Sequence, residues 1–379
     1  MNNRILIFID YYLPGFKAGG PIKTVSNSIN YLCKTYEFYI LTRNHDLNDK
    51  FTYDIETGKW IKNDEYTIMY LGQNEFRVKT LKKIIAEVNP FCFYINSFFS
   101  FKLSIKIVLF CIPRISKIIL APRGELSNSA ISNKKTIKTL YLFYSVLFQK
   151  YKGLIFQASN DEERNDINKY FPKNKIIIIP DPIDNINGSK TSSYIKYTNY
   201  LKLCFISRIT PIKNLKFCFE LLNSIELISE NIYLDIYGPI ENEHYWKECM
   251  KIQNNRINYC GELIPALVKD TFCKYDFFFF PSESENFGHV IFESLSVGTP
   301  VILSNNTLWH SIEGFEKHSF AINTINVTDY IMLFKKLLKI DATEYSILSN
   351  EAYNFSLKYH HEQKDKGEIH QLFNFSKQL

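Results

Sequence analysis

Short, continuous apolar runs, each followed by loop residues and then by a helical pattern, constrain the fold most strongly. The clearest run is Tyr275–Phe280, which Pro281 ends. From Gly288 onward, apolar residues recur at three- and four-residue spacings until Gly298. Continuous apolar runs are typical of strands that a parallel sheet buries on both faces. Their alternation with helices predicts an α/β fold built on parallel sheets.

The pattern extends over most of the chain and is interrupted by one polar stretch, residues 185–199, which is rich in Asn, Ser, Thr and Lys. A chain of 379 residues exceeds the usual size of one hydrophobic core. We therefore predict two Rossmann-like domains, residues 1–190 and 200–355, that face each other across a cleft. A C-terminal helix over residues 356–379 is expected to pack back toward the first domain.

Composition and cysteine usage indicate an ordinary globular protein. Hydrophobic residues make up 46% of the chain, and eight cysteines are scattered without a Cys-x-x-Cys pair. Such cysteines are typical of reduced core residues in a cytoplasmic protein. Neither a signal peptide nor an apolar run of about 20 residues is visible. We expect a cytoplasmic protein, attached at most to the inner face of the cell membrane.

Positive charge is concentrated between Lys102 and Lys152, a segment that contains ten basic residues and a single acid, Glu125. A helix predicted from Asn133 to Tyr151 carries an apolar stripe within this segment. Two interpretations are open. In the commoner arrangement the stripe packs on the sheet and the lysines are solvated; in the other, the stripe and lysines rest on an anionic membrane and guide a lipid-linked substrate. The stripe consists of Ile137, Leu140, Tyr141, Tyr144, Leu147 and Phe148.

No nucleic-acid-binding module is present, so no nucleic-acid partner is expected.

Glycines and charged residues follow several predicted strands, at the edge where open α/β sheets bind ligands. Gly19 and Gly20 lie between the first strand and its helix, where they let the backbone approach a bound group. Arg208 and Lys213 lie five residues apart in a loop that leads into a helix. Two cations beside a helix amino terminus make a clamp for a diphosphate.

Two acids flank Gly288 directly after the Phe-rich strand. Glu285 is predicted in the loop and Glu293 in the following helix. Carboxylates accept hydrogen bonds from sugar hydroxyls, and cations neutralise a leaving diphosphate. Together with Arg208 and Lys213, the acids favour sugar transfer from a nucleoside diphosphate, in which charge on the leaving group must be stabilised.

On these residues the chain resembles the retaining glycosyltransferases of family 4, which have the GT-B fold. The resemblance is carried by the Glu-x7-Glu pattern of Glu285 and Glu293, by Arg208 with Lys213, by the Gly19–Gly20 pair and by the run 298–301. It implies that Arg208, Lys213 and Glu285 are catalytic: the cations hold the diphosphate and Glu285 binds the transferred sugar. Donor-binding roles are implied for Gly19, Gly20, Phe287, Gly288, His289, Val290, Ile291 and Glu293, the last on the ribose.

The same resemblance implies that neither a metal nor another cofactor is needed, and no Asp-x-Asp motif is present. Arg123 and Glu125 stand where many relatives carry a histidine, so they are assigned to the acceptor side. Asn214 replaces a frequent glycine, and we expect it to be tolerated. For His289, a buried or hydrogen-bonded position is favoured over substrate contact.

The activity implied is transfer of a sugar from a nucleoside-diphosphate sugar to a lipid-linked glycan, with retention of anomeric configuration. Such a step belongs to surface polysaccharide biosynthesis, whether of O-antigen, capsule or exopolysaccharide. Two alternatives remain open: a GT-B-like nucleotide-sugar epimerase, and a catalytically silent subunit that keeps the nucleotide site.

Overall fold

A computed structural model describes residues 2–113, 116–132, 135–186, 195–224 and 231–374. The chain forms two compact units. The N-terminal unit comprises Met1–Pro182 together with Lys366–Leu379, and the C-terminal unit comprises Ile183–Asp365. Each unit is a parallel sheet with helices between its strands, so the predicted α/β class with two Rossmann-like domains is confirmed. Most of the polar stretch 185–199 lies outside the described residues.

The N-terminal unit has an eight-stranded sheet in the order β3-β4-β2-β1-β5-β6-β7-β8. All neighbouring strands are parallel except β3, which is antiparallel to β4. Its elements are β1 (Arg4–Phe8), α1 (Gly20–Leu32), β2 (Glu37–Arg43), β3 (Trp60–Lys62), β4 (Tyr66–Leu71), α2 (Val78–Val88), β5 (Cys92–Asn96), β6 (Ile118–Ala121), α3 (Asn128–Ser132), α4 (Lys135–Leu147), β7 (Ile155–Ala158), α5 (Asp161–Tyr170) and β8 (Lys175–Ile178).

Alternate residues of β1 belong to cores on opposite faces of this sheet. Leu6 and Phe8 pack in the core that contains residues of α2, whereas Ile5 and Ile7 pack in the core that contains residues of α1. Successive side chains of a strand point to opposite faces. The apolar run of β1 is continuous because both faces are buried.

Two helical segments of this unit differ from a regular α-helix that packs its apolar stripe on the sheet. Between β5 and β6, the chain forms a pair of π-helical segments in place of a regular α-helix, Phe101–Ile105 and Ile107–Cys111, in which the amide of Ile105 donates to the carbonyl oxygen of Ser100 (2.8 Å). Of the two interpretations of the α4 stripe, packing on the sheet is not observed: Leu142 and Ser145 face inward and most of the stripe is exposed. Of the lysines predicted at the start of this helix, Lys134 and Lys135 have side chains outside the described part, whereas the Nζ of Lys138 donates to the carbonyl oxygen of Ala130 (2.5 Å).

The C-terminal unit has a six-stranded, fully parallel sheet in the order β11-β10-β9-β12-β13-β14. The Phe-rich strand β12 pairs with β9 and β13, and its four phenylalanines are completely buried. The elements are β9 (Leu201–Ile206), α6 (Leu215–Ser224), β10 (Ile232–Tyr237), α7 (Glu243–Met250), β11 (Ile257–Tyr259), α8 (Pro265–Phe272), β12 (Phe277–Phe280), α9 (His289–Ser296), β13 (Val301–Ser304), β14 (Phe320–Ile322), α10 (Val327–Lys339) and α11 (Ala342–Lys366).

The end of the chain also differs from the sequence prediction. A C-terminal helix was expected over residues 356–379, but α11 ends at Lys366, and Gly367 adopts a left-handed conformation (φ 57°). A single 3-10 turn, Glu368–Gln371, follows. Phe373 then packs against aromatic rings of the N-terminal unit, with ring centroids 5.4 Å from Tyr36. The strand β14 was not predicted because an edge strand of three residues is too short to give a recognisable pattern.

Membrane-spanning and disulfide features are absent from the described part. No described helix is both long enough and apolar enough to cross a bilayer. All eight cysteines are unpaired with one another, and five are buried.

Candidate functional site

The loop after β9 carries the two predicted cations, and one tight turn shapes it. Residues Pro211–Lys213 form a 3-10 turn in which the amide of Lys213 donates to the carbonyl oxygen of Thr210 (3.1 Å). Asn214 follows in the left-handed region, at φ 57°. Among residues with a side chain, asparagine adopts this region comparatively easily. The frequent glycine can therefore be replaced here without large strain, and α6 begins directly after it.

Lys213 and Glu285, 72 positions apart, form an ion pair at the carboxyl ends of β9 and β12. Both side chains are largely buried, and the Lys213 Nζ also lies 5.4 Å from the ring centroid of Phe280. The two loops are joined by their backbones, since the amide of Glu283 donates to the carbonyl oxygen of Ile212 (2.8 Å). The structure thus brings together two of the three residues predicted to be catalytic.

Arg208, the third, has a partner that the sequence did not suggest. Its Nη1 lies 2.6 Å from the Oε2 of Glu241, and each side chain is about one third exposed. Glu241 follows β10, whose end approaches the β9 loop very closely: a Cβ built on Gly238 would lie 1.9 Å from the carbonyl oxygen of Ser207. Glycine at 238 therefore permits the approach. In the sequence, an acid shortly after the Gly-Pro pair at a strand end was the feature that could have indicated Glu241 as a site residue.

The start of α9 lies against Glu285. Gly288 caps the helix in the left-handed region (φ 77°), and a Cβ there would lie 2.9 Å from the Cγ of Glu285 and 2.8 Å from the Cδ1 of Ile291. A side chain at 288 would thus be strained and would collide with its neighbours. The amino end of a helix presents backbone amides and positive potential to an anion. Glu293 lies farther along α9 and is buried.

Aromatic side chains hold the segment between Glu285 and α9. The Nε1 of Trp309 donates to the carbonyl oxygen of Phe287 (2.5 Å), and the ring centroids of these residues lie 5.2 Å apart. His289 is buried, with its ring centroid 5.0 Å from that of Phe287. The ring centroid of Tyr359, in α11, lies 5.2 Å from that of Trp309, with the two rings tilted by 45°. Neither Trp309 nor Tyr359 was predicted, because both lie outside the motif and reach it only through the fold.

In the N-terminal unit, the predicted glycine pair begins α1. Gly19 adopts a left-handed conformation (φ 69°) and caps the helix, and Pro21 occupies its first turn. The preceding loop is held by Asp46, whose Oδ2 accepts from the amides of Phe16 (2.7 Å) and Lys17 (3.0 Å). The role of Gly19 and Gly20 in donor binding stays a prediction.

Arg123 is held by buried partners within the same unit. Its Nη1 lies 2.6 Å from the Oδ1 of Asp181, its Nη2 donates to the Oη of Tyr94 (2.5 Å), and its Nε donates to the Oδ1 of Asn96 (3.1 Å). The side chains of Arg123 and Asp181 are each only 8% exposed. Arg123 also has φ 55°, so its backbone adopts a conformation that a long side chain rarely takes. These contacts organise the carboxyl end of the sheet.

Glu125 is likewise bonded inside this unit. Its Oε2 accepts from the amides of Phe98 (2.6 Å) and Phe99 (2.9 Å), and its Oε1 accepts from the Oγ of Ser97 (2.8 Å). Burial raises the pKa of this carboxyl above its ordinary value, while those hydrogen bonds oppose the shift. The acceptor-side roles of Arg123 and Glu125 stay predictions, and the contacts observed are structural.

Among the described residues, no group of three or more His, Cys, Asp or Glu side chains is arranged to hold a metal ion. The absence of a metal requirement stays an expectation from the resemblance.

Residues 190–355 match the model of the family described as glycosyl transferases group 1. This match covers most of the C-terminal unit and includes Arg208, Lys213, Glu285 and Glu293. An uncharacterized 41.2 kDa protein in cps region, from Klebsiella pneumoniae, is 24% identical over 221 residues. The alignment covers 56% of this chain and only 57% of that relative.

Solved structures similar to this one extend over nearly the whole chain. Sucrose-phosphate synthase from Thermosynechococcus elongatus superposes with a TM-score of 0.74 at 14% identity, covering 98% of this chain and 99% of the other. The trehalose-6-phosphate synthase OtsA gives 0.67 at 10% identity, covering 99% of each. Anabaena HepE, in complex with UDP-glucose, gives 0.67 at 13%, covering 96% and 98%. The fold is therefore GT-B.

Proposed function

We propose that this protein is a retaining glycosyltransferase that moves a sugar from a nucleoside-diphosphate sugar to a glycan acceptor. The observation that carries the proposal is the ion pair of Lys213 with Glu285 beside the amino end of α9. It lies within the segment that matches the glycosyl transferases group 1 family. The known UDP-glucose complex of HepE, a protein of the same fold, supports a nucleotide-sugar donor.

In the proposed reaction, the bond between the sugar C1 and the diphosphate oxygen breaks while a bond from C1 to an acceptor oxygen forms. The nucleoside diphosphate leaves with the bonding electron pair, and the acceptor hydroxyl gives up its proton. Arg208 and Lys213 stabilise the charge that grows on the diphosphate. Cations held in a largely buried site are effective because solvent screens them little.

The remaining site residues bind the donor. Glu285 accepts hydrogen bonds from the transferred sugar while it holds Lys213, and Glu293 binds the ribose. The backbone at Phe287–Ile291 contacts sugar and phosphate at the start of α9. We propose that the enzyme needs no metal, because the two cations and the helix terminus neutralise the diphosphate.

The acceptor proposed is a lipid-linked glycan, and the process is surface polysaccharide biosynthesis at the inner face of the cell membrane. The similarity to a protein in cps region supports polysaccharide synthesis. The basic, apolar surface of the N-terminal unit supports an acceptor that is presented by a membrane.

A two-part experiment tests the activity. First, uridine, guanosine, adenosine, cytidine and thymidine diphosphates are compared for thermal stabilisation of the protein, since a ligand of the folded state raises stability by mass action. Second, the matching nucleotide sugars are incubated with membrane extracts as acceptor, with nucleotide release and the anomer of the product measured by NMR. We expect one base to be preferred and the product to keep the donor's configuration.

Other outcomes identify the alternatives. An altered nucleotide sugar that forms without any acceptor would indicate an epimerase. Stabilisation by a nucleoside diphosphate without turnover of any donor would indicate a silent subunit. An inverted product would overturn the retaining mechanism while leaving sugar transfer in place.

A further inference from the structure

The outer side of α4 is an exposed apolar surface. We define the α4 face as Ile137, Leu140, Phe143, Tyr144, Leu147 and Phe148, the last directly after the helix. The exposed fractions of Ile137, Leu140 and Phe143 are 73%, 64% and 66%. A helix on the surface of a soluble domain normally turns polar residues outward. A contiguous exposed apolar patch is typical of an interaction site.

The α4 face is held outward by contacts on the opposite side of the helix. Leu142 and Ser145 are buried there. The Oη of Tyr141 lies 2.6 Å from the Oη of Tyr151, and its ring centroid is 5.9 Å from that of Phe98. The helix is therefore anchored to the core by a narrow inner side, and the α4 face does not need to pack on the sheet.

Positive charge accompanies this face. The Nζ of Lys150 lies 5.6 Å from the ring centroid of Tyr144 and 5.8 Å from that of Phe148. Lys152 is exposed close by in sequence. Among the residues from 102 to 152, the single acid is Glu125, whose carboxylate is taken up by internal hydrogen bonds. The segment thus offers cations without competing exposed carboxylates.

We propose that the α4 face docks the protein on an anionic lipid bilayer. The helix lies in the plane of the membrane, with its apolar side chains in the boundary between headgroups and acyl chains and with Lys150 and Lys152 at the lipid phosphates. A second copy of the chain is disfavoured as the occupant because lysines are depleted in protein interfaces. The purpose of this docking rests on the proposed function, because a lipid-linked acceptor is presented at such a surface.

Vesicle flotation tests the docking. The purified full chain, without donor or acceptor, is mixed with vesicles of phosphatidylcholine alone or with 30% phosphatidylglycerol, at low and high salt. We expect binding to the anionic vesicles, and a severalfold loss at high salt because lipid and lysine charges are screened. Absence of binding to anionic vesicles at low salt would overturn the proposal.

Variants locate the contact. Phe143→Ser with Leu147→Ser should weaken vesicle binding about tenfold or more, since two apolar side chains no longer enter the bilayer. Lys150→Glu with Lys152→Glu should abolish the preference for anionic vesicles. The matched control is Ile347→Ser on α11, which is also an exposed apolar residue of a helix, at 55%. Equal losses in the control and in the double serine variant would contradict a specific docking face.

Two further measurements separate this proposal from its competitors. Hydrogen exchange should slow in peptides that cover residues 135–152 when anionic vesicles are added. Light scattering should show no change of oligomeric state between the parent and the double serine variant; a parent dimer that the variant dissolves would assign the face to a second copy instead. Nucleotide stabilisation should be equal in both proteins, so a failure of docking is distinguishable from a failure of the proposed activity.

Discussion

Both units have an arginine and a glutamate in loops after buried parallel strands, but the surroundings of these side chains differ between the units. In the C-terminal unit, Arg208 and Glu285 lie in loops after the strands, with side chains 33% and 16% exposed, and each pairs with one oppositely charged side chain. In the N-terminal unit, Arg123 and Glu125 are surrounded by donors and acceptors of their own unit. Charge after a strand therefore has two observed environments: a single oppositely charged partner, as at the proposed donor site, or a network of internal partners.

The largest expected effect tests the structural network. Arg123→Met should lower the free energy of unfolding by about 3–5 kcal/mol, because the carboxylate of Asp181 would stay buried without its partner. Denaturant unfolding measures the change. The control is Arg164→Met, whose pair with Asp161 lies on the surface, so it should change stability by less than about 1 kcal/mol. A stable Arg123→Met protein that has lost only turnover would instead place Arg123 in the reaction.

The next effect tests the ligand site. Glu285→Gln should reduce turnover by about 10²–10³-fold, because the amide cannot hold Lys213 by charge and binds the sugar less strongly. Glu283→Gln, at an exposed position of the same loop, is the control and should leave turnover unchanged. Steady-state kinetics with the donor selected by the nucleotide panel provide the measurement. Parental turnover in Glu285→Gln would remove this residue from the proposed mechanism.

A smaller effect is expected at the partner that the sequence did not predict. Glu241→Gln should raise the KM for the donor by up to about tenfold, since Arg208 loses the carboxylate that orients its guanidinium. Its kcat should change less than in Glu285→Gln. Initial rates at varied donor concentration separate the two parameters. If only the melting temperature fell, Glu241 would have a purely structural role.

The smallest effect concerns the dependence of stability on pH. Burial raises the pKa of Glu125 in the folded protein. The folded state therefore binds a proton that the unfolded chain has already released, so this contribution to stability is complete below the ordinary carboxyl pKa and is lost as pH rises through the raised pKa. Glu125→Gln should flatten the stability profile over that window, as measured by unfolding at several pH values. If the dependence of stability on pH were the same in Glu125→Gln as in the parent, the raised pKa of Glu125 would be contradicted.

Much of the fold was predictable from local pattern. The Phe-rich apolar run forms the strand Phe277–Phe280, and the helical pattern that follows Gly288 forms the helix His289–Ser296. Apolar periodicity is a local property, and both faces of these parallel sheets are buried. The edge strands Trp60–Lys62 and Phe320–Ile322 were missed because they are three residues long and only partly buried.

The exposed side of α4 shows a different limit. Apolar residues occur on nearly every side of this helix, so periodicity alone could not identify the inward side. Tyr151 and Phe98, which hold the inner side, belong to other segments. The direction in which the helix faces therefore came from tertiary packing.

The sequence by itself determined the α/β class and the division into two Rossmann-like domains, and it predicted the candidate donor residues. Those features depend on local periodicity and on residue types at strand ends. Only the tertiary structure decided which charges meet, because the partners are far apart in the chain: 33 positions for Arg208 and Glu241, 58 for Arg123 and Asp181, and 72 for Lys213 and Glu285. Parallel strands bring such distant loops to one edge of a sheet, and local pattern contains no information on which of them touch.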